Sequence, residues 1–171
     1  MNNLSFQKLQ GLLLIATIFV ISVGFYLQYQ VGLHPCSLCI MQRGCIIFFG
    51  VCCLAALFIT SGSLQRRLVI TEIFFIITGL FFATRQVWLQ SLPINEAPAC
   101  LPALDVLINY FPWHEVLLAL IWGAGSCAEI TWKFMGLSIA AWSVIYFLVM
   151  LFISSYMFIQ FNQPLFTKSK Q

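Results

Sequence analysis

Apolar residues dominate the chain in long unbroken runs, and short polar segments punctuate them. Four runs, 9–27, 40–60, 68–88 and 139–159, are almost free of charge. Each matches the about 20 mainly apolar residues that a helix needs to cross a hydrocarbon core. A strand alternates with a period of two and a surface helix shows one apolar stripe; these runs do neither, so they predict four buried or lipid-facing helices. The polar intervals predict the rest of a single integral membrane domain over 1–171: a short segment 1–8, loops at 28–39, 61–67 and 89–138, and a tail at 160–171. No stretch remains for a soluble domain.

Composition agrees with the pattern. Of the 171 residues 61% are hydrophobic and only 8% charged, against roughly 25% charged in soluble domains, and the mean hydropathy is +0.97. The few charges are informative through their places. Lys8, Arg66, Arg67, Lys168 and Lys170 fall on segments that four crossings put on one side, and short basic loops stay cytoplasmic. The opposite side receives 28–39 and 89–138, with Glu96, Asp105, Glu115 and Glu129 against Lys133. Both termini are therefore expected inside. The first run has one basic residue before it and no small-x-small cleavage pattern after it, so it reads as a retained span and not as a signal peptide. The net charge of +3 is a topology signal, and no basic patch suggests nucleic acid.

Topology makes the seven cysteines readable. Cys36, Cys39, Cys100 and Cys127 lie on the outer side or at its boundary, where a bacterial compartment is oxidising; Cys45, Cys52 and Cys53 fall within the second run and read as small apolar side chains. Four outer cysteines suggest two disulfides, with three possible pairings. In "HPCSLCIMQRGC" (34–45) the Cys-x-x-Cys loop is too small to stabilise much by loop closure. At a helix start, which Pro35 suits, the same spacing places thiols near the positive end of the helix dipole and favours the thiolate. Cys36, Cys39 and Arg43, at i, i+3 and i+7, then share one face. Arg43 is costly inside a span and reads as facing a functional site, with snorkelling to the interface as the alternative. Snorkelling is the better account of Arg85 and Glu72, although Arg85 could also act beside Arg43.

The long outer segment has three parts. "LPINEAPACLPALD" (92–105) carries Pro93, Pro98 and Pro102, which forbid a regular helix and leave Cys100 exposed to a partner. "WHEVLLALIW" (113–122) places Trp113, Val116, Leu117, Leu120 and Ile121 on one stripe, the pattern of a short helix in the membrane interface or of ordinary packing. His114, like His34, reads as a surface or interfacial residue before a catalytic base. "GAGSCAEITWKFMGL" (123–137) sets Cys127 in a glycine-rich turn. Trp132 and Trp142 read as interface anchors, with stacking on a flat cofactor as the weaker alternative.

Together "PCSLCIMQR", "ATRQVWLQSLP", "PAC" and "GSCAEITWKFMGLSIAAW", in this order across four spans, resemble the bacterial disulfide bond formation protein B (DsbB) family. The resemblance implies a thiol:quinone oxidoreductase of the bacterial inner membrane. Its fold would be a four-helix bundle with a short membrane-parallel helix in the second periplasmic loop. It implies ubiquinone or menaquinone as cofactor and a periplasmic thioredoxin-like (DsbA-like) dithiol oxidase as partner. By the same resemblance Cys100 forms the mixed disulfide with the partner and pairs with Cys127. Cys36 pairs with Cys39, Cys39 contacts the quinone, and Arg43 supports it. The chain departs from the family pattern at Gln42, where an acidic residue can stand, and at Ala140–Ala141, where proline is common. Two other readings use the same cysteines: a tetrahedral thiolate metal site, which gives Arg43 no role, and a structural membrane protein with inert pairs. A vitamin K epoxide reductase-like enzyme shares the chemistry but not this loop order.

Overall fold

The computed structural model describes residues 3–32, 36–93, 109, 111–123, 127–128 and 132–167. Five helices and one hairpin follow in order among them: α1 (Asn3–Tyr29), α2 (Ser37–Phe58), α3 (Gly62–Ser91), α4 (Trp113–Trp122), strands β1 (Lys133–Phe134) and β2 (Leu137–Ser138), and α5 (Ile139–Thr167). Helices α1, α2, α3 and α5 are long and apolar enough to span a membrane over Ser5–Tyr29, Ser37–Phe58, Gly62–Ser91 and Ile139–Phe161. Backbone groups in hydrocarbon must be satisfied within the segment, and these helices satisfy them.

The helices are longer than the apolar runs because hydropathy marks only the lipid-facing part. At 30 residues, α3 is about 45 Å long against a hydrocarbon core of roughly 30 Å, so its ends project into polar surroundings. Arg66 and Arg67, expected in a loop, therefore lie in its first turns. Its first bond of α-helical spacing, Gln65 N to Ser61 O, is 2.9 Å. The buried Gln65 side chain donates to Ile59 O at 2.7 Å, satisfying a carbonyl left open by the end of α2.

Helix α2 packs on α1 and α3, and α3 packs on α5. Leu13, Phe49, Cys53, Ile76, Phe82, Phe147 and Met157 form the core between them. Close approach of α3 and α5 depends on Gly79, where any Cβ would overlap the Phe147 ring; small residues serve this purpose in membrane bundles. Ile15, Phe19, Phe58, Phe74 and Phe152 are exposed, as suits side chains that meet lipid.

Polar side chains also pair within the bundle. Glu72, read from sequence as snorkelling, is fully buried. It accepts hydrogen bonds from Gln10 Nε2 at 3.0 and 3.2 Å, so its cost is offset by an amide of α1 and not by escape to the interface. Nearer the other end, Thr17 Oγ1 meets Tyr146 Oη at 3.0 Å and joins α1 to α5.

The hairpin was not anticipated. Met135 and Gly136 both have positive φ, 52° and 83°, the requirement of the tight turn that matches strand twist. Ser138 ends β2 and caps α5, accepting from Ala141 N at 3.3 Å while donating to Gln90 Oε1 of α3 at 2.7 Å. One serine thus ties the hairpin, the start of α5 and the end of α3 together.

Candidate active site

Helix α2 starts at Ser37, with Cys36 as its N-cap residue in extended conformation. The first helical bond runs from Ile40 N to Cys36 O at 3.1 Å. Cys36 and Cys39 therefore occupy the first turn, where unsatisfied N–H groups concentrate positive potential. Their sulfurs lie 2.8 Å apart, near enough for a small rotamer change to make or break a bond between them. Pro35 and His34 lie outside the described residues.

Cys127 reaches this pair from the far side of the fold in sequence. It is buried, lies 3.5 Å from Ser37 Oγ, and hydrogen-bonds Cys36. Hydrogen bonding to Cys127 pushes the Cys36 thiol upward, and bonding to Cys39 and burial add to the effect. Cys100 lies outside the described residues. Among those described, no group of three or more His, Cys, Asp or Glu side chains is arranged to hold a metal ion.

Two glutamines complete the polar cluster: Gln86, missed by sequence reasoning, and Gln42, noted there only as a departure from the family pattern. Gln86 of α3, almost fully buried, donates from Nε2 to Cys39 Sγ at 3.2 Å and to Cys36 Sγ at 3.4 Å. Its Oε1 accepts from Gln42 Nε2 at 2.7 Å. The available signal was an uncharged amide in each of two spans, since polar side chains in spans turn toward the protein interior.

Cys39, Gln42 and Arg43 line a cleft of about 600 Å³, within the roughly 300–1,000 Å³ common for small-molecule sites. Val20, Leu27 and Ile46 give it an apolar wall. Trp132, Phe134 and Trp142 give it an aromatic one: Trp132 stacks on Phe134 with centroids 5.8 Å apart, and Trp142 Nε1 donates to Phe134 O at 3.2 Å. Arg43 is held by α1, donating to Gln28 Oε1 at 2.5 Å and Gly24 O at 3.3 Å, with its guanidinium 4.7 Å from the Phe25 ring centroid. It is half-buried and bonded to a neighbouring helix.

Arg85 has a different place. Its guanidinium packs on Trp88 and Trp122, 4.3 and 5.3 Å from their centroids, and Nε donates to Trp122 O at 3.3 Å. It fastens the end of α4 to α3. Among the described side chains of α4, Val116 is buried, with Leu120 partly packed against it. Trp113, Leu117 and Ile121 of the expected stripe are exposed, as is His114.

The family model described as disulfide bond formation protein DsbB matches residues 7–157. The chain belongs to the DsbB family. Among curated relatives named disulfide bond formation protein B, that of Acinetobacter baumannii is 36% identical over 171 residues, covering 99% of both chains. That of Stutzerimonas stutzeri is 37% identical over 132 residues, 77% of this chain and 81% of its own. That of Hahella chejuensis is 41% identical over 127 residues, 73% and 76% of the two chains. No solved structure matches. With four spanning helices, this DsbB-family member is a multi-pass membrane protein of disulfide bond formation, an oxidoreductase by class.

Proposed function

We propose that the protein reoxidises a periplasmic thioredoxin-like dithiol oxidase of the DsbA type and passes the electron pair to ubiquinone or menaquinone in the bacterial inner membrane. The observation that carries this reading is the order of groups at the head of α2. Cys127 contacts Cys36, Cys36 contacts Cys39, and Cys39 borders an apolar, aromatic-walled cleft that Arg43 also lines. The cleft has the volume, flat aromatic surface and single cationic donor that suit a quinone ring. Bound there, a quinone supplies a two-electron sink, becoming quinol with two protons.

The residues divide the work. The partner's thiolate attacks the Cys100–Cys127 disulfide at Cys100, releasing Cys127 as thiolate; the partner's second thiol then displaces Cys100, leaving the partner oxidised. Cys127 attacks Cys36 of the Cys36–Cys39 disulfide, and Cys39 leaves as thiolate beside the cleft. Cys100 then attacks Cys127 in the transient Cys36–Cys127 bond, restoring Cys100–Cys127 and releasing Cys36; Cys36 and Cys39 close again to a disulfide as their two electrons pass to the acceptor and their protons follow. Arg43 offers a fixed positive charge where negative charge develops. A strongly oxidising partner disulfide can be regenerated only by a stronger electron sink, and a lipid-soluble sink explains why the last pair begins a span.

The orientation has both termini cytoplasmic, the hairpin and α4 periplasmic, and α4 lying in the membrane interface. Lys8 near the start of α1 and Arg66 and Arg67 near the start of α3 support it, since alternate crossings bring these ends to one side.

Substitution of Cys100 tests the two-pair division. Cys100→Ala is expected to abolish oxidation of the protein partner while quinone still oxidises reduced Cys36 and Cys39, read by mass after alkylation. Undiminished partner oxidation would contradict it.

A further inference from the structure

The relay explains why sulfurs meet the cleft but leaves open what keeps one of them ionised in an apolar bundle. A thiolate at the membrane boundary needs donors, because burial otherwise penalises the charged form. Arg43 is engaged by Gln28, Gly24 and Phe25 on α1. Among the described residues, Gln86 is a side-chain donor in contact with both sulfurs.

We propose that Gln86 is a catalytic hydrogen-bond donor that holds Cys39 as thiolate when the pair is reduced, and that Gln42 positions it by occupying its oxygen. This rests on the relay above and assigns to that site a residue with no role in it so far. The amide has two polar ends. Its nitrogen carries two hydrogens and lies within reach of both sulfurs, 3.2 Å from Cys39 and 3.4 Å from Cys36. Its oxygen is also 3.5 Å from Cys39 Sγ, but the much shorter contact of that oxygen is with Gln42 Nε2, at 2.7 Å. An amide whose acceptor is occupied turns its donors to the remaining groups. Both glutamines are buried, so water does not compete for these bonds. A carboxylate at position 42 could not donate to Gln86 Oε1, whereas the amide does.

The test uses the full-length protein in detergent, without quinone or partner, so that its result is independent of whether the relay itself holds. Two readouts are taken: the rate of iodoacetamide alkylation at Cys39 in reduced protein at pH 7, and the share of Cys36–Cys39 disulfide at a fixed glutathione ratio. Gln86→Met keeps length and removes the donor; Gln86→Glu keeps shape and leaves acceptors only. Each is expected to slow alkylation about tenfold, the scale of one charge-assisted hydrogen bond. Each should also raise the disulfide share, because a less stable thiolate makes the couple less oxidising. Gln42→Leu is expected to give a smaller change in the same direction and to add nothing in the Gln86→Met background, since it acts through the same amide. A wild-type rate and disulfide share in either Gln86 variant would overturn the proposal; Gln86→Glu behaving as wild type would assign the amide the opposite orientation, accepting from thiols.

Discussion

Arg43 and Glu72 are both charged residues within spans, and the structure treats them differently. Arg43 sits at the cleft with its planar fork divided between Gln28 and Gly24. Lysine keeps the charge but not the fork. Arg43→Ala is therefore expected to raise the quinone concentration for half-maximal rate at least tenfold, with Arg43→Lys intermediate and exchange between partner and Cys100 unchanged in both. Steady-state assays varying the two substrates independently check this. An unaltered quinone dependence would return Arg43 to a packing role. Glu72 faces Gln10, whose Oε1 is buried without a partner. Glu72→Leu would also leave the Gln10 amide nitrogen without its acceptor, at a cost of about 1–3 kcal/mol, whereas Glu72→Gln can return a donor to Oε1. Thermal unfolding should show a clear loss for the first substitution and little or none for the second. Arg43 was legible because its spacing from Cys36 and Cys39 is local. Glu72 was not, because its partner is 62 residues away and a lone acid near a span end fits snorkelling equally well.

Among the elements, the spans were legible because hydropathy accumulates over some twenty residues, while their ends were not, since helical hydrogen bonding continues where hydropathy stops. The hairpin was missed for the opposite reason: strands of two residues are too short to show alternation. The Gln86 contacts were illegible because they join α3 to α2 across 47 and 50 positions. How α4 docks is equally nonlocal. Arg85 grips Trp122, and next comes Gly123, whose φ of 82° suits a residue without Cβ. A Cβ there would lie 2.8 Å from Leu38 Cδ1 and Leu89 Cδ1. Gly123→Ala is expected to combine backbone strain with overpacking and cost roughly 2–4 kcal/mol. It should also slow Cys36–Cys127 exchange, because Leu38 adjoins Cys39 and Cys127 follows four residues later. A melting temperature equal to wild type would show that the turn can relax.

At the scale of the molecule, the bundle brings three sulfurs from distant parts of the chain to one end and places an apolar cleft beside the last of them. The motifs announced the cysteines, and the family assignment fits them, but the walls of the cleft come from α1, α2, the hairpin and α5, a conjunction that appears only when the chain is folded. The central claim is that electrons leaving a thioredoxin-like dithiol pass through Cys39 to quinone. Its most direct measurement is anaerobic quinol formation, followed by ultraviolet absorbance, when reduced DsbA-type oxidase is added to purified protein with ubiquinone or menaquinone. The account predicts one quinol for each dithiol oxidised, and no quinol with Cys39→Ala; dithiol oxidation without matching quinol, or quinol formed at the wild-type rate in Cys39→Ala, would contradict it.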